Sequence, residues 1–145
     1  MLARDAQDRL LAAMVDLYGG EAAQKAESSG AQAEESALPR DAFAGMLEPE
    51  EERLVGDVRN ALARIMGAVA ASSRGPAPPP SVMVGVLGGA ELLMRAEIAA
   101  GRVERVLELL PSFAFLATLP YLRRDEALRL AERTRELAEG GEREA

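Results

Sequence analysis

Glu48, Glu50, Glu51 and Glu52, clustered around Pro49, are the residues of this chain whose type and spacing come nearest to catalytic chemistry. Paired carboxylates carry out general acid–base work when a cleft holds them against a partner. Nothing around this cluster supplies such a partner, and carboxylates at a helix start are favoured by the macrodipole alone. The chain has no cysteine and no histidine. Thiolate nucleophiles, imidazole acid–base pairs and the usual zinc sites are therefore excluded together. No enzyme activity, metal or cofactor is expected. The other chemically distinctive set is methionine: Met14, Met46, Met66, Met83 and Met94, besides Met1. Flexible thioethers suit pockets that adapt to varied apolar ligands, but they also fill ordinary cores, and with no ligand implied by the pattern they are assigned to packing.

The elements that would position these residues are helical. Apolar residues make up 48% of the chain but aromatics only 3%, so the apolar mass is Ala, Leu, Val and Met, which suit buried helices. A domain of this length buries roughly 68–70% of its unfolded surface, enough for one real core. The net charge of −7 argues against nucleic-acid binding by this chain alone, since that needs a basic face to displace counterions. The opening residues, Met-Leu-Ala-Arg-Asp-Ala-Gln-Asp, are charged where a signal peptide would be apolar, and the expectation is a cytoplasmic protein.

Leu2, Leu10, Leu11, Met14, Val15 and Leu17 fall at helical spacings and predict a helix over residues 2–18, stopped by Gly19-Gly20. Residues 21–37 are polar and small, and read as a mobile linker within a broader 19–40. Asp41 is placed to cap a short helix through Leu47, and Pro49 suits the first turn of the next. Leu54, Val58, Leu62, Ile65 and Val69 then form the stripe of an amphipathic surface helix, with Glu50, Asp57, Arg59 and Arg64 off it. The run Ser-Ser-Arg-Gly-Pro-Ala-Pro-Pro-Pro breaks that helix.

Ser81 is expected to cap a helix reaching about Ala100, with Glu91, Arg95 and Glu97 marking where it meets water and Gly101 ending it. A short helical pattern follows up to Pro111. Residues 109–122 carry no charge, and Asp125 is placed to cap a last amphipathic helix, with Leu128, Ala131 and Leu137 as its apolar stripe, that Gly140-Gly141 would end. No segment alternates with period two, so the fold class is an all-α helical bundle forming a single domain.

Two stretches, 82–90 and 109–122, are apolar or small on every side. A membrane span needs about 20 apolar residues; Glu91 ends the first stretch too early, and Pro111 and Pro120 bracket the second. Burial inside one small domain covers such helices incompletely, whereas a two-fold interface with a second copy covers them fully. Val82, Val86, Ala90, Leu93, Phe113, Leu116 and Ala117 are the candidate interface residues of a four-helix homodimer contact.

The stretch from Gly85 to Leu122 resembles the C-terminal end of TetR-type transcriptional regulators. Gly88-Gly89-Ala90, Gly101, Leu109-Leu110-Pro111 and Leu119-Pro120-Tyr121-Leu122 carry the resemblance. The opening helix is similar to the family's linking helix, and the 53–71 stripe with its Pro-rich break is similar to the helix before the dimerisation pair. Arg123 departs from the family's usual glycine, and the polar stretch 19–48 stands where pocket-lining helices are expected. A helix-turn-helix pattern is absent from this sequence. The resemblance implies a ligand-sensing and homodimerisation domain whose DNA contacts belong to another module. The alternative is a free-standing helical dimerisation protein without a ligand. If a small apolar ligand binds, the stripes place its pocket between helices 2–18 and 50–71, lined by Met14, Leu62 and Met66, with Tyr18 as the polar handle.

Overall fold

The computed structural model describes residues 4–18, 47–73 and 75–144, with side chains placed as far as Gly141 in the last helix. Leu2, the expected linker at 21–37, the Asp41-capped helix and Met46 lie outside the described residues. Six helices are described: α1 (Arg4–Leu17), α2 (Pro49–Ser72), α3 (Pro80–Ala99), α4 (Glu104–Glu108), α5 (Leu110–Thr118) and α6 (Arg124–Glu144). There is no strand among the described residues, and the molecule is an all-α bundle.

The helix starts follow from local chemistry. Pro49 sits in the first turn of α2, where its missing N–H costs nothing, and the Glu51 carboxylate accepts the Glu48 N–H at 2.8 Å in a capping box. The Glu48–Glu52 cluster is thus a helix start. For α3 the expected cap was one residue late: Pro80 opens the helix from Pro79, and Ser81 is exposed in its first turn. The last helix likewise begins at Arg124, before Asp125; the Glu126 carboxylate reaches back to accept the Arg123 N–H at 3.2 Å. Gly140 and Gly141 do not stop α6, which continues to Glu144.

Gly101 does end α3. Its φ of +76° is in the left-handed region, the Gly101 N–H donates to the Ile98 carbonyl, and the Arg102 N–H donates to the Glu97 carbonyl, each at 2.9 Å. This is a Schellman closure, reinforced by a 2.6 Å ion pair between Arg102 and Glu97. Pro111 splits what would be one helix into α4 and α5, with Leu109 helical at the junction, because a proline cannot donate to the preceding turn.

The centre of the bundle is α2, which packs on α1, α3 and α5; α5 and α6 form the most extensive pair, and α1 closes against α6. A central position explains why the single stripe expected for α2 is too narrow. Val55, Ala61, Met66 and Ala68 are buried as well as Leu54, Val58, Leu62, Ile65 and Val69, and even Arg59 is covered. Met14, Leu62, Ile65, Met66, Met94, Leu110 and Phe113 form the interior.

Where α1 ends, the Tyr18 hydroxyl lies 3.0 Å from Thr134 Oγ1, and Thr134 Oγ1 donates to the Leu130 carbonyl. The phenol therefore donates, tying the first helix to the last. Tyr18→Phe is expected to cost about 1 kcal/mol, the usual worth of such a bond, read from urea midpoints. Burial raises the Tyr18 pKa above its ordinary 10.0, more than the Thr134 hydroxyl lowers it. The unfolded chain then ionises first. This contribution is complete below pH 10.0 and is lost as pH rises through the folded value. The Tyr18→Phe variant should lack this share of the alkaline decline and keep the share of Tyr121, whose pKa burial also raises.

Candidate functional site

Helix α3 has two unlike sides. Leu87, Ala90, Met94, Arg95 and Ile98 face inward at positions i, i+3, i+7, i+8 and i+11. The outward side carries Gly85, Gly89, Leu92, Leu93 and Ala96, all exposed, with Leu92 and Leu93 half open to solvent. The neighbouring helix α5 adds Leu116, also half exposed, and Leu119 follows at its end. Scattered exposed leucines are ordinary, but a helix side with no charge from Ser81 to Ala90 and paired leucines beyond it is not.

This side also carries two glycines, Gly85 and Gly89. A helical glycine is destabilising by roughly 0.5–1 kcal/mol relative to alanine. It is retained where the backbone needs positive φ or where a neighbour comes too close for a Cβ. Gly85 and Gly89 have neither reason within the described residues, a property they share with Gly56, Gly140 and Gly141: Gly101 alone among those glycines has positive φ, and a Cβ at 85 or 89 meets nothing within 4 Å.

Three expected interface residues are corrected by this geometry. Ala90, Phe113 and Ala117 are buried within the protomer and cannot reach a partner, because Ala90 lies on the inward stripe of α3 and α5 turns Phe113 and Ala117 into the core. Val82 and Val86 are partly exposed on the flank, and Leu93 and Leu116 face outward. The sequence pattern did not single out Leu92 and Leu119; spacing from Gly85 and Leu116 would have found them.

The four expected pocket residues are core. Met14, Leu62 and Met66 are inaccessible to solvent and Tyr18 nearly so. Two surface cavities lie elsewhere. One of about 350 Å³ runs between α1 and α6, lined by Ala6, Arg9, Leu10, Ala13, Glu136, Leu137, Gly140 and Gly141. The other, about 270 Å³, lies on the far side of Leu10 and is bounded by Leu107, Pro111 and Ala138 among others. None of the four residues lines either one.

Behind the outward face of α3 lies an ion cluster that the sequence pattern assigned to solvent. Arg95 bonds Glu52 of α2 at 2.6 Å and Glu91 of its own helix at 3.0 Å, while Arg59 of α2 lies 3.3 Å from Glu91. Arg59 and Arg95 are buried and Glu91 nearly so; Glu52 opens the cluster to water. The hydrogen bond to Glu52 is the chief reason the Arg95 pKa lies above its ordinary value. The i,i+4 spacing of Glu91 and Arg95 was visible, but that spacing marks solvated pairs just as well.

Among the described residues no group of carboxylates could hold a metal ion, and no helix is long and apolar enough to cross a membrane. These features define an α-helical bundle with one uncharged, glycine-bearing outer helix face. Compared with known proteins, the chain matches no family model, no curated protein and no solved structure.

Proposed function

We propose that this chain is a homodimerisation domain, pairing through the outward sides of α3 and α5, and that it serves a transcriptional regulator resembling the TetR type. The observation that carries the dimer is the exposed leucine set Leu92, Leu93 and Leu116, which continues an uncharged helix side that also carries Gly85 and Gly89. A second copy related by a two-fold axis presents the same face, so close backbone approach at the glycines and leucine packing beyond them complement themselves. The regulator half of the proposal is supported by the resemblance from Gly85 to Leu122, and an in-frame helix-turn-helix coding segment upstream would test it. DNA contact belongs to that other module.

Substituting Gly89 by alanine gives the dimer a sharp test, because its two expected effects have opposite sign. With nothing near the added Cβ, the monomer gains up to about 1 kcal/mol from helix propensity. The same methyl holds two crossing helices apart, so the dimer constant weakens at least tenfold. Denaturant unfolding at low concentration and sedimentation equilibrium read the two effects separately. Unchanged association would remove α3 from the interface.

The free-standing alternative, a dimerising protein without a ligand, is favoured by one observation: Met14, Leu62 and Met66 are fully covered by other side chains. Under it, a thermal-shift screen with lipophilic compounds gives no hit that depends on Met66. A tight apolar effector whose binding is weakened by the volume-conserving Met66→Leu at unchanged fold would restore the ligand-sensing role.

A further inference from the structure

The two surface cavities meet at Leu10, which is buried and lines both. The larger, about 350 Å³, is a cleft between α1 and α6. Small-molecule sites run from about 300 to 1,000 Å³, so this cleft lies at the lower end of their range. Ala6, Leu10 and Ala13 form its α1 wall, and Leu137, Gly140 and Gly141 line it from α6. Its interior is therefore apolar side chain or bare helix backbone. A Cβ built at Gly140 or Gly141 meets nothing within 4 Å, so a guest enters there without any side chain moving.

Each wall also carries one charge, Arg9 on α1 and Glu136 on α6. The Arg9 Nε donates to the Asp5 carbonyl at 3.0 Å, which holds the guanidinium along its own helix. Its terminal amino groups and the Glu136 carboxylate have no partner among the described residues, so the two charges do not neutralise each other. The smaller cavity lacks this balance: Arg135 faces both Glu108 and Glu139 there, and Glu108 is paired with Arg105 at 3.2 Å. We infer that the α1–α6 cleft binds a small amphipathic zwitterion. Its anionic end meets Arg9, its cationic end meets Glu136, and its apolar body lies over Leu10 and Leu137. A ligand of one sign would be attracted by one wall and repelled by the other; only a ligand with both signs is matched at both. The site rests on neither the proposed dimer nor the expected pocket, since no residue of either lines it.

The probe is leucyl-leucine, whose free ends carry both charges. Beside it are its amide, which lacks the carboxylate, and its N-acetyl form, which lacks the ammonium. Backbone amide chemical shifts of the full chain are followed at about 0.15 M salt, which screens the protein's general negative field but not direct contacts. The free dipeptide should give saturable shifts at Ala6, Ala13, Gly140 and Gly141, with a Kd on the order of 1 mM or tighter. Each capped form should bind about fivefold more weakly, the effect of one exposed ion pair. In Arg9→Gln the amide should match the free dipeptide while the N-acetyl form stays weaker. In Glu136→Gln the N-acetyl form should match it while the amide stays weaker. Gly140→Leu fills the cleft where the backbone leaves room, and should abolish binding at unchanged helix content by circular dichroism. Arg135→Gln, in the smaller cavity, should change nothing.

Absence of saturable shifts up to about 10 mM free dipeptide overturns the site. Equal affinity for the three forms overturns the zwitterion assignment. Binding that survives Gly140→Leu overturns the cleft, as does binding that weakens in Arg135→Gln but not in Arg9→Gln, which moves the ligand to the smaller cavity. If Gly140→Leu lowers the helix content, Ala6→Leu on the opposite wall decides, with lost binding supporting the cleft and retained binding refuting it.

Discussion

Arginine placed at both Leu93 and Leu116 is expected to convert the proposed dimer to a well-folded monomer. In the protomer both side chains are about half open to water, at 49% and 48%, so the guanidinium groups can stay solvated and the helices remain intact. In the proposed dimer the same positions would be covered. Burial of an unpaired charge costs several kcal/mol even after relaxation, and about 4 kcal/mol corresponds to roughly a thousandfold in the association constant. Sedimentation equilibrium with parallel circular dichroism is the measurement. A double variant that still dimerises with unaltered affinity would place the contact on another surface.

Phe113→Ala should produce the opposite pattern. Phe113 lies in the uncharged run that suggested an interface, yet it is 2% exposed and enclosed by the core. Removing a buried phenyl group leaves a cavity and costs about 3–5 kcal/mol. At roughly 2–4 °C per kcal/mol for a domain of this size, the melting temperature falls on the order of 10 °C. The association constant of the protomers that remain folded should be unchanged, because the ring contributes nothing to the outer face. Calorimetry and sedimentation on the same samples separate the effects. Loss of dimer without loss of stability would show that the ring turns outward.

The contrast between these two variants marks what the sequence could reveal. Helices announce themselves through spacing and punctuation, so α2 after Pro49, the stop at Gly101 and the break at Pro111 were legible to within a residue or two. Facing was legible only in part even where polar residues mark the other side: on α6 the expected stripe holds for Ala131 and partly for Leu137, but Leu128 is exposed, and Ala127 and Thr134 turn inward instead. On α3 and α5 almost every residue is apolar or small, so periodicity offers no contrast. Ala90, Phe113 and Ala117 were consequently placed on the wrong side, while Leu93 and Leu116 were not. The ion cluster escaped notice for a related reason. Glu52 and Arg59 lie on a helix remote in sequence from Glu91 and Arg95, and only the crossing of α2 and α3 brings four ordinary surface-type residues together.

One feature of the bundle also bears on how its connectivity can be altered. Tyr18 meets Thr134, while Ala6 shares a cavity wall with Gly140 and Gly141, so α1 and α6 run antiparallel and residues near 4 lie beside residues near 141. The order in which the helices are strung together is then partly arbitrary. A short Gly/Ser bridge from 144 to 4, with a new opening in the Pro-rich connection at 75–79, would give a circular permutant with the same helix neighbours. In that permutant α3 becomes the leading helix and α2 the trailing one. The two halves of the ion cluster would then lie at opposite ends of the polypeptide, and their meeting would depend wholly on tertiary closure.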